Sequence, residues 1–512
     1  MKNKQVWLRL GLVFLVLLGG FFLAQSRGLS FHFVDEEDHI IYGYYMNQGF
    51  ELYKDLSTNH QPLVYLASNW LQKIYQANSI FLVIKRHRLA VFSYGAIWSI
   101  FLVWRFRWAG LIFVALFEWL KYFLFGNLLL MESLAVYPGV YLLAAAWEMV
   151  KDSKVINKIK KLESIFLGFS SFLVVFNLVP LWPWLAIIWV IFWLKNKKRF
   201  VWQIIGALVP TLILFILISP IDWFRETVSN NYLYAAPQLS VVKTTSDWLR
   251  LIFFPWLAFG VKDSLQAGFI KLFVAGWLGG SVYLLIKKDK RLIWWLGIYG
   301  LLFLANNRVL DPGTVFYQGF HLLPWLAMLM MVFCLSLKLL WREKRLRWPL
   351  AVIFGGWISV LLLNKAMPYF WQTKPSEEYH INYSPFDDFG FAVKTLARPG
   401  DRLAVLTNES LIHWQTGTVP ATRQIVYYSW HHMVPDLEKD FKETFSLEND
   451  DPPEFIYGQE KAQLVEEKYV NLLKYDKETL LAVRRDIAES IDPEQKQTLS
   501  DRGFSLPLSL TF

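Results

Sequence analysis

The sequence predicts a polytopic α-helical membrane protein, with about eleven transmembrane helices and a small α/β C-terminal soluble domain. Composition is the first reason: 55% of the 512 residues are hydrophobic and only 18% are charged, where a soluble chain usually has about 25% charged residues. This deficit is confined to residues up to about 365, where long apolar runs alternate with short charged segments. The distribution of the charged residues is the second reason, and the concentration of basic residues in every second loop is the third.

The apolar runs give the positions of the expected spans, because a helix needs about 20 apolar residues to cross the hydrocarbon core. We place them at roughly 6–25, 89–104, 108–125, 128–147, 163–179, 181–195, 201–219, 268–286, 292–306, 316–340 and 348–364. Residues 1–365 are therefore a predicted transmembrane domain with long outer loops at 26–88 and 220–267. Residues 366–512 are a predicted extracytoplasmic α/β domain.

The C-terminal domain shows short strand-like runs that alternate with helical patterns. Strands are expected at Arg402–Thr407, Gln424–Tyr428 and Glu454–Tyr457, and helices at Phe389–Ala397 and Lys461–Leu473.

The charge pattern orients the helices. With a cytoplasmic N-terminus, all five predicted inner loops are basic, starting at Arg105, Lys151, Lys195, Lys287 and Arg342. Eleven spans then place the C-terminal domain outside, whereas an even number would place it inside. The basic cluster at 85–88 lies on the outer side and is the one discordant feature. We expect a multi-pass protein of the inner or plasma membrane of a prokaryote.

These loops also explain the net charge of +10, so we expect no nucleic-acid partner. The single cysteine, Cys334, lies within an apolar run, which excludes a disulfide framework and a cysteine-based metal site. The first apolar run, Val6–Ala24, is long for a signal peptide and lacks a convincing cleavage site, so we expect an uncleaved first helix.

Four consecutive acids follow the first helix: Asp35, Glu36, Glu37 and Asp38. Acids contribute little to membrane topology, so their presence at a membrane edge needs another explanation. One is a solvated cap at the start of a helix near Asp38, where the helix dipole favours negative charge. The other is a catalytic or binding site.

The residues that follow favour the second explanation. They are Gly49-Phe-Glu-Leu-Tyr-Lys-Asp and Asn59-His-Gln-Pro-Leu-Val-Tyr-Leu. This loop resembles the GT-C class of polytopic glycosyltransferases, in particular the superfamily of the protein O-mannosyltransferases and the lipid A aminoarabinose transferases. Asp35-Glu36 matches the acidic pair of that family. Gln61 replaces the first proline of its Pro-Pro-Leu-x-Tyr signature, and His60 stands where the aminoarabinose transferases have a lysine.

Three further regions also resemble this family. Glu132, in Asn127-Leu-Leu-Leu-Met-Glu-Ser-Leu, stands where family members have a second acid, at the predicted outer end of the fourth span. An acid within a membrane helix is a functional candidate, although a residue reaching into the headgroups gives the same pattern. Arg308 and His321 lie near a late helix and are candidates to bind a carrier phosphate; an isolated outer arginine can equally be an interface anchor. The C-terminal pattern Arg398-Pro-Gly-Asp-Arg-Leu also resembles the outer domain of bacterial members.

The resemblance implies sugar transfer from a polyprenyl-phosphate carrier to a protein, lipid or glycan acceptor on the outer face. Asp35 would be the base in an inverting direct displacement. Glu36 and Glu132 would orient the acceptor or Asp35, or hold a divalent cation together with Asp35. His60, Lys54, Arg308 and His321 would bind the carrier phosphate. No cofactor is certain, a divalent cation remains open, and membrane lipids are expected partners.

Other classes remain open at this point. A lipid-linked glycan transporter or flippase needs charged groups near the middle of the bilayer, and only Glu118 and Lys121, three residues apart in the third span, offer them. A polysaccharide polymerase or ligase shares the lipid carrier but usually has large basic outer loops. A non-catalytic scaffold would explain the spans but not the acids.

Overall fold

The computed structural model describes residues 2–30, 32–151, 161–262, 264–306, 308–313, 319–362, 383–407, 409–446, 448–458 and 468–507. The chain forms two compact units. The first, here called the helical unit, comprises Met1–Gly28, His87–Leu217 and Ser240–Thr373. The second, the sheet unit, comprises Leu29–Arg86, Ile218–Leu239 and Lys374–Phe512. The segments 29–86 and 218–239 from the two predicted outer loops thus belong to the same unit as the C-terminal region.

Helices dominate the described chain. The α-helices of five or more residues are α1 Lys2–Ser26, α2 Val34–Asn47, α3 Pro62–Ile74, α4 Ile80–Phe106, α5 Trp108–Leu120, α6 Met131–Lys151, α7 Lys161–Val175, α8 Trp182–Lys195, α9 Lys197–Leu217, α10 Pro220–Phe224, α11 Thr245–Ile252, α12 Leu265–Ile286, α13 Leu292–Gly300, α14 Leu323–Leu340, α15 Arg347–Leu362, α16 Ser384–Leu396, α17 Leu411–Thr416, α18 Pro435–Thr444, α19 Arg485–Glu489 and α20 Pro493–Ser500. A π-helix, Arg225–Ala235, directly continues α10.

Six helices in the described residues are long and apolar enough to cross a membrane: Gln5–Ser26, Ile80–Phe106, Met131–Val150, Lys197–Leu217, Leu265–Ile286 and Gly319–Leu340. The coarse prediction, several apolar helices compatible with a multi-pass membrane protein and a small C-terminal sheet region, is therefore confirmed. The other five expected spans correspond to shorter helices, α5, α7, α8, α13 and α15. At 1.5 Å per residue a regular helix of 13 residues extends only about 20 Å, so the number eleven stays a prediction.

Two apolar helices are almost entirely enclosed by the rest of the helical unit. In α6 and in the segment Gly319–Leu340, 89% of the most apolar stretch is buried, against 17% in the N-terminal span. These two helices pack against each other. Their enclosure makes them the centre of the unit, and polar groups at their ends are therefore shielded from solvent and lipid.

Close contact between α7 and α9 depends on two glycines. A Cβ added to Gly168 would lie 1.9 Å from the Gln203 carbonyl oxygen, and one added to Gly206 would lie 2.0 Å from the Ile165 carbonyl oxygen. Small residues let the backbones of membrane helices approach this closely, which explains why this pair packs so tightly.

The sheet unit contains six strands: β1 Arg402–Val405, β2 Val419–Pro420, β3 Phe455–Tyr457, β4 Tyr469–Lys474, β5 Lys477–Arg484 and β6 Phe504–Ser505. Their order is β2-β1-β3-β5-β4-β6. Strand β1 pairs in parallel with β2 and β3, and the remaining pairs are antiparallel. The apolar faces of the central strands form a core around Ala404, Ile456 and Ala482.

Strands β1 and β3 match the expected positions, but two other predictions for this region are wrong. No strand forms at Gln424–Tyr428, because the Thr422 hydroxyl takes the hydrogen bonds of the Gln424 N–H and C=O and local bonds of this kind compete with a strand ladder. The expected helix Lys461–Leu473 is contradicted over 469–473, which lie in strand β4. Its earlier part lies outside the described residues.

The first predicted outer loop folds onto the C-terminal part of the sheet unit. Gly43 of α2 lies so close to α3 that an added Cβ would be 2.4 Å from the Ser68 hydroxyl. The Tyr45 hydroxyl of α2 lies 2.8 Å from Nδ1 of His413 in α17. The Ser57 backbone N–H donates to the Arg423 carbonyl oxygen at 2.8 Å. The last two contacts join segments more than 350 residues apart in the chain.

Burial of His413 predicts that the sheet unit loses stability in acid. Complete burial lowers the pKa of His413 to about 3. A histidine with a lowered folded-state pKa contributes stability that is fully present above its unfolded value near 6.5 and is lost as pH falls towards 3. At pH 4.5 the expected loss from His413 is about 2–3 kcal/mol.

Hydrogen exchange of the β1 and β3 amides in the full-length protein, corrected for intrinsic rates, measures this loss. The variant His413→Gln retains a polar partner for Tyr45 and is expected to reduce the dependence on pH between 8 and 4.5. The matched control is His432→Gln, which makes the same change at an exposed histidine. An unchanged pH dependence in His413→Gln would contradict the assignment.

Candidate functional site

Three predicted site residues meet at the ends of the two enclosed helices of the helical unit. Glu132 lies in the first turn of α6 and is 1% exposed. Its Oε1 atom lies 2.9 Å from Nδ1 of His321 and 3.5 Å from Nη1 of Arg308. His321 lies in the 3-10 turn Gly319–Leu322 that leads into α14. We call Glu132, Arg308 and His321 the Glu132 cluster.

The local sequence explains why these side chains converge. Pro324 stands in the first turn of α14, a position where its missing N–H and fixed φ favour the start of a helix. Arg308 is carried by a turn in which the Asn306 side chain accepts from the Val309 N–H at 3.2 Å and donates to the Val309 carbonyl oxygen at 3.0 Å. Asn306 is itself buried, so this turn holds Arg308 in a defined place.

Each residue of the Glu132 cluster also has polar atoms that do not take part in the contacts within the cluster. In the described part of the chain, Oε2 of Glu132 is buried and has no hydrogen-bond partner, which is costly for an ionised oxygen. The Arg308 side chain is 33% exposed, and its planar guanidinium carries five donors suited to phosphate oxygens. Since Nδ1 of His321 faces Glu132, its Nε2 points away from the carboxylate. Arg308 can therefore bind an anion, and His321 can donate to the same anion from Nε2 when its ring carries both protons, while Glu132 orients both side chains.

The acids at positions 35–38 all lie in the first turns of α2, which begins at Val34 and not near Asp38. Asp35 is half-buried, whereas Glu36, Glu37 and Asp38 are each at most 2% exposed. Oε1 of Glu37 lies 2.6 Å from Nε2 of His32. A solvated helix cap is thus wrong for three of the four acids, because their carboxylates are withdrawn from water.

Asp38 is held by two hydroxyl groups of the C-terminal region. It accepts a hydrogen bond from the Tyr428 hydroxyl at 2.6 Å and another from the Ser410 hydroxyl at 3.3 Å. Burial raises the pKa of Asp38 well above its usual value, and the nearby charges of Asp35 and Glu37 raise it further. A carboxyl of this kind can hold or exchange a proton at a pH where an ordinary aspartate is ionised.

The other two predicted phosphate ligands lie in the sheet unit. Lys54 is exposed and pairs with Glu51 at 3.1 Å. His60 is half-buried, and its ring centroid lies 5.6 Å from that of His39. The Tyr53 hydroxyl donates to the His60 carbonyl oxygen at 2.8 Å, which fixes the backbone there. Among the described residues, no contact joins Lys54 to His60, so the two do not form one ligand-binding cluster.

Within the described residues, no group of three or more His, Cys, Asp or Glu side chains converges as a metal site would require. The contacts of Glu132 are with a histidine and an arginine, and a cationic guanidinium beside a carboxylate opposes a second cation there. We therefore derive no step that involves a metal ion.

Several contacts in the sheet unit were missed by sequence reasoning. Tyr428 lies 390 residues from Asp38 in the chain, and nothing in either local sequence indicates their contact. Glu226, in the π-helix, is 2% exposed and pairs with Arg423 at 3.2 Å while it accepts from the Ser57 hydroxyl at 3.0 Å. The available signal was the presence of an acid in an aromatic-rich outer loop; its partners depend on the fold.

Comparison with known proteins adds no identification. No protein-family model matches the chain, and no curated protein matches it. The resemblance to polytopic glycosyltransferases therefore stays a prediction from the motifs.

Proposed function

We propose that the chain is a multi-pass membrane glycosyltransferase that moves a sugar from a polyprenyl-phosphate carrier to an acceptor at the extracytoplasmic face. The observation that supports it most is the Glu132 cluster: a buried carboxylate that holds an arginine and a histidine at the start of two enclosed apolar helices. A leaving phosphate on a lipid carrier needs such cationic and hydrogen-bonding groups next to an apolar environment. The acidic first turn of α2 supplies candidates for the base.

The order of elements supports the eleven-span topology in this proposal. Between the sheet-unit segments Leu29–Arg86 and Ile218–Leu239, the described chain contains the six helices α4 to α9. Between Ile218–Leu239 and Lys374 it contains the four apolar helices α12 to α15. A compact unit with a hydrogen-bonded open sheet belongs on one side of a membrane, so an even number of spans is expected between its segments. If each of these helices is a span, both numbers are even and α1 brings the total to the eleven we propose, with the sheet unit on the extracytoplasmic side by the charge pattern of the loops.

The proposed reaction is a direct displacement. Asp35 removes a proton from the acceptor hydroxyl, the acceptor oxygen attacks the anomeric carbon, and the bond from that carbon to the phosphate oxygen breaks. The polyprenyl phosphate leaves with the electron pair, and Arg308 and His321 stabilise its charge. Glu132 acts as a positioning residue for these two groups. The spare proton on Asp35 returns to water.

The variant Asp35→Asn tests the base. We expect at least about a 100-fold loss of transfer rate, because an amide cannot accept the hydroxyl proton. The purified full-length protein in lipid nanodiscs is given a panel of synthetic polyprenyl-phosphate sugars with an extract of cell envelopes as acceptor. Mass spectrometry follows the release of polyprenyl phosphate.

The matched control is Asp436→Asn, which also removes a carboxylate from the first turn of a helix in the sheet unit. It is expected to retain wild-type rates. Turnover of Asp35→Asn equal to that of the wild type removes Asp35 as the base, and the absence of transfer from every donor by the wild-type protein overturns the proposed function.

A further inference from the structure

A cavity in the sheet unit, distinct from the Glu132 cluster, has the features of a ligand site. Its volume is about 500 Å³, within the range of about 300–1,000 Å³ that is usual for small-molecule pockets. One wall comes from the loop Gln48–Asp55 and the other from residues 420–423 together with Asp440 of α18. We call it the Phe50 pocket.

The residues that line the Phe50 pocket carry two positive and two negative charges, and each of the two cations also pairs with an acid outside the lining, Glu51 or Glu226. Lys54 and Arg423 supply two positive groups, and Asp55 and Asp440 supply two carboxylates. An anion that enters the pocket meets both carboxylates as well as both cations, and a cation meets the reverse. A neutral ligand with many hydroxyl groups suits this lining better, because carboxylates accept hydrogen bonds from hydroxyls and ammonium or guanidinium groups donate to them.

Phe50 adds an apolar surface to this polar lining. Its side chain is half-buried and is held by edge-to-face packing on Tyr45, with ring centroids 5.5 Å apart. The negative face of an aromatic ring attracts the slightly positive C–H groups on one side of a sugar ring. An aromatic ring beside several hydrogen-bonding groups thus matches the two surfaces of a saccharide.

The positions of the charged groups are fixed by the fold. The Asp440 carboxylate accepts from the Arg423 backbone N–H at 3.0 Å, and the Arg423 guanidinium donates to the Tyr53 carbonyl oxygen at 3.1 Å and to Glu226 at 3.2 Å. The Asp55 carboxylate accepts from the Glu51 N–H at 2.8 Å. Lys54 is exposed and pairs with the exposed Glu51 at 3.1 Å. Three of the four charges are therefore preorganised for a ligand.

From this geometry we infer that the Phe50 pocket binds a neutral saccharide. That this saccharide is part of the acceptor rests on the proposed function; its binding does not. This assignment also moves Lys54 from the carrier phosphate, where the sequence placed it, to the saccharide.

Binding can be measured without any sugar donor. Full-length protein in nanodiscs is applied to a glycan array that carries neutral, sulfated, phosphorylated and sialylated saccharides, and hits are titrated by saturation-transfer NMR. We expect saturable binding to at least one neutral saccharide. Phe50→Ala and Asp55→Asn are each expected to raise the half-saturating concentration at least tenfold.

Lys439→Ala is the matched control, since Lys439 precedes Asp440 on α18 but is exposed and does not line the pocket. It is expected to bind as the wild type does. Hydrogen exchange of the β1 and β3 amides shows whether each variant remains folded. No saccharide bound above empty nanodiscs, binding to anionic saccharides only, or undiminished binding by both folded pocket variants overturns the inference. Saccharide binding by a protein that transfers no sugar would overturn the glycosyltransferase and leave the pocket standing.

Discussion

The variant Glu132→Gln is expected to lower the rate of sugar transfer by about 100- to 1,000-fold, the range seen when one preorganised electrostatic group is lost. Glutamine has nearly the volume of glutamate, so the enclosed start of α6 can remain packed. It lacks the negative charge that holds Arg308 and His321 towards Oε1. Initial rates of polyprenyl-phosphate release, measured with the same donor panel, give the effect.

Two further variants separate charge from shape at this position. Glu132→Asp keeps the charge on a shorter side chain and is expected to retain more activity than Glu132→Gln. Arg308→Lys keeps the positive charge but loses the planar fork that engages two phosphate oxygens, and it is expected to weaken donor binding. If sugar transfer requires both the Glu132 carboxylate and the planar guanidinium of Arg308, Glu132 acts through Arg308.

A matched control is Glu343→Gln. Glu343 follows the C-terminal end of α14 and pairs with Lys287 at 2.9 Å, but both side chains are at least 40% exposed. Exposed pairs contribute little, so this variant should retain wild-type transfer and stability. Wild-type turnover by a folded Glu132→Gln protein would contradict any role of the Glu132 cluster in the reaction.

The sequence predicts the helical unit better than it predicts the sheet unit, for a physical reason. Apolar runs such as 316–340 and acids such as Glu132 are informative in isolation, because lipid imposes a length on the first and an energetic cost on the second. The position of Glu132 and that of His321, at the start of expected spans, required no knowledge of the fold. Their 2.9 Å contact depends on how α6 and α14 pack.

In the sheet unit, the decisive contacts are between distant segments. Tyr469–Leu473 shows a helical spacing of apolar residues, yet it pairs with β5, because pairing with a neighbouring strand outweighs a weak local preference. The burial of Asp38 likewise depends on Tyr428 and Ser410, which no local pattern connects to α2. Four consecutive acids indicated a site, but which of them are buried was decided by the fold.

The largest expected effect on stability concerns Glu118 and Lys121 near the end of α5. The Lys121 ammonium donates to Oε2 of Glu118 at 2.5 Å, and both side chains are at most 2% exposed. Breaking a buried pair by removing one partner costs about 3–5 kcal/mol, because the other charge stays buried. Lys121→Met is therefore expected to destabilise the helical unit by about that amount, measured by reversible unfolding in mixed micelles.

The double variant Glu118→Gln, Lys121→Met is expected to recover most of this loss. The Ser99 and Tyr137 hydroxyls donate to Oε1 of Glu118 at 3.0 and 2.7 Å, and a glutamine carbonyl oxygen can accept both. Replacing both members of a buried pair with groups of similar shape is often neutral or stabilising. A double variant as unstable as Lys121→Met alone would contradict a pairwise interaction.

The same pair is the feature that the transporter alternative would have to use. A carboxylate that relays protons or ions must exchange partners during transport, whereas both oxygens of Glu118 are occupied by donors from three different positions of the unit. Such a saturated network favours a fixed structural clamp. We therefore expect the double variant to transfer sugar within about twofold of the wild-type rate. A folded double variant that has lost all transfer activity would instead assign Glu118 and Lys121 a part in the reaction.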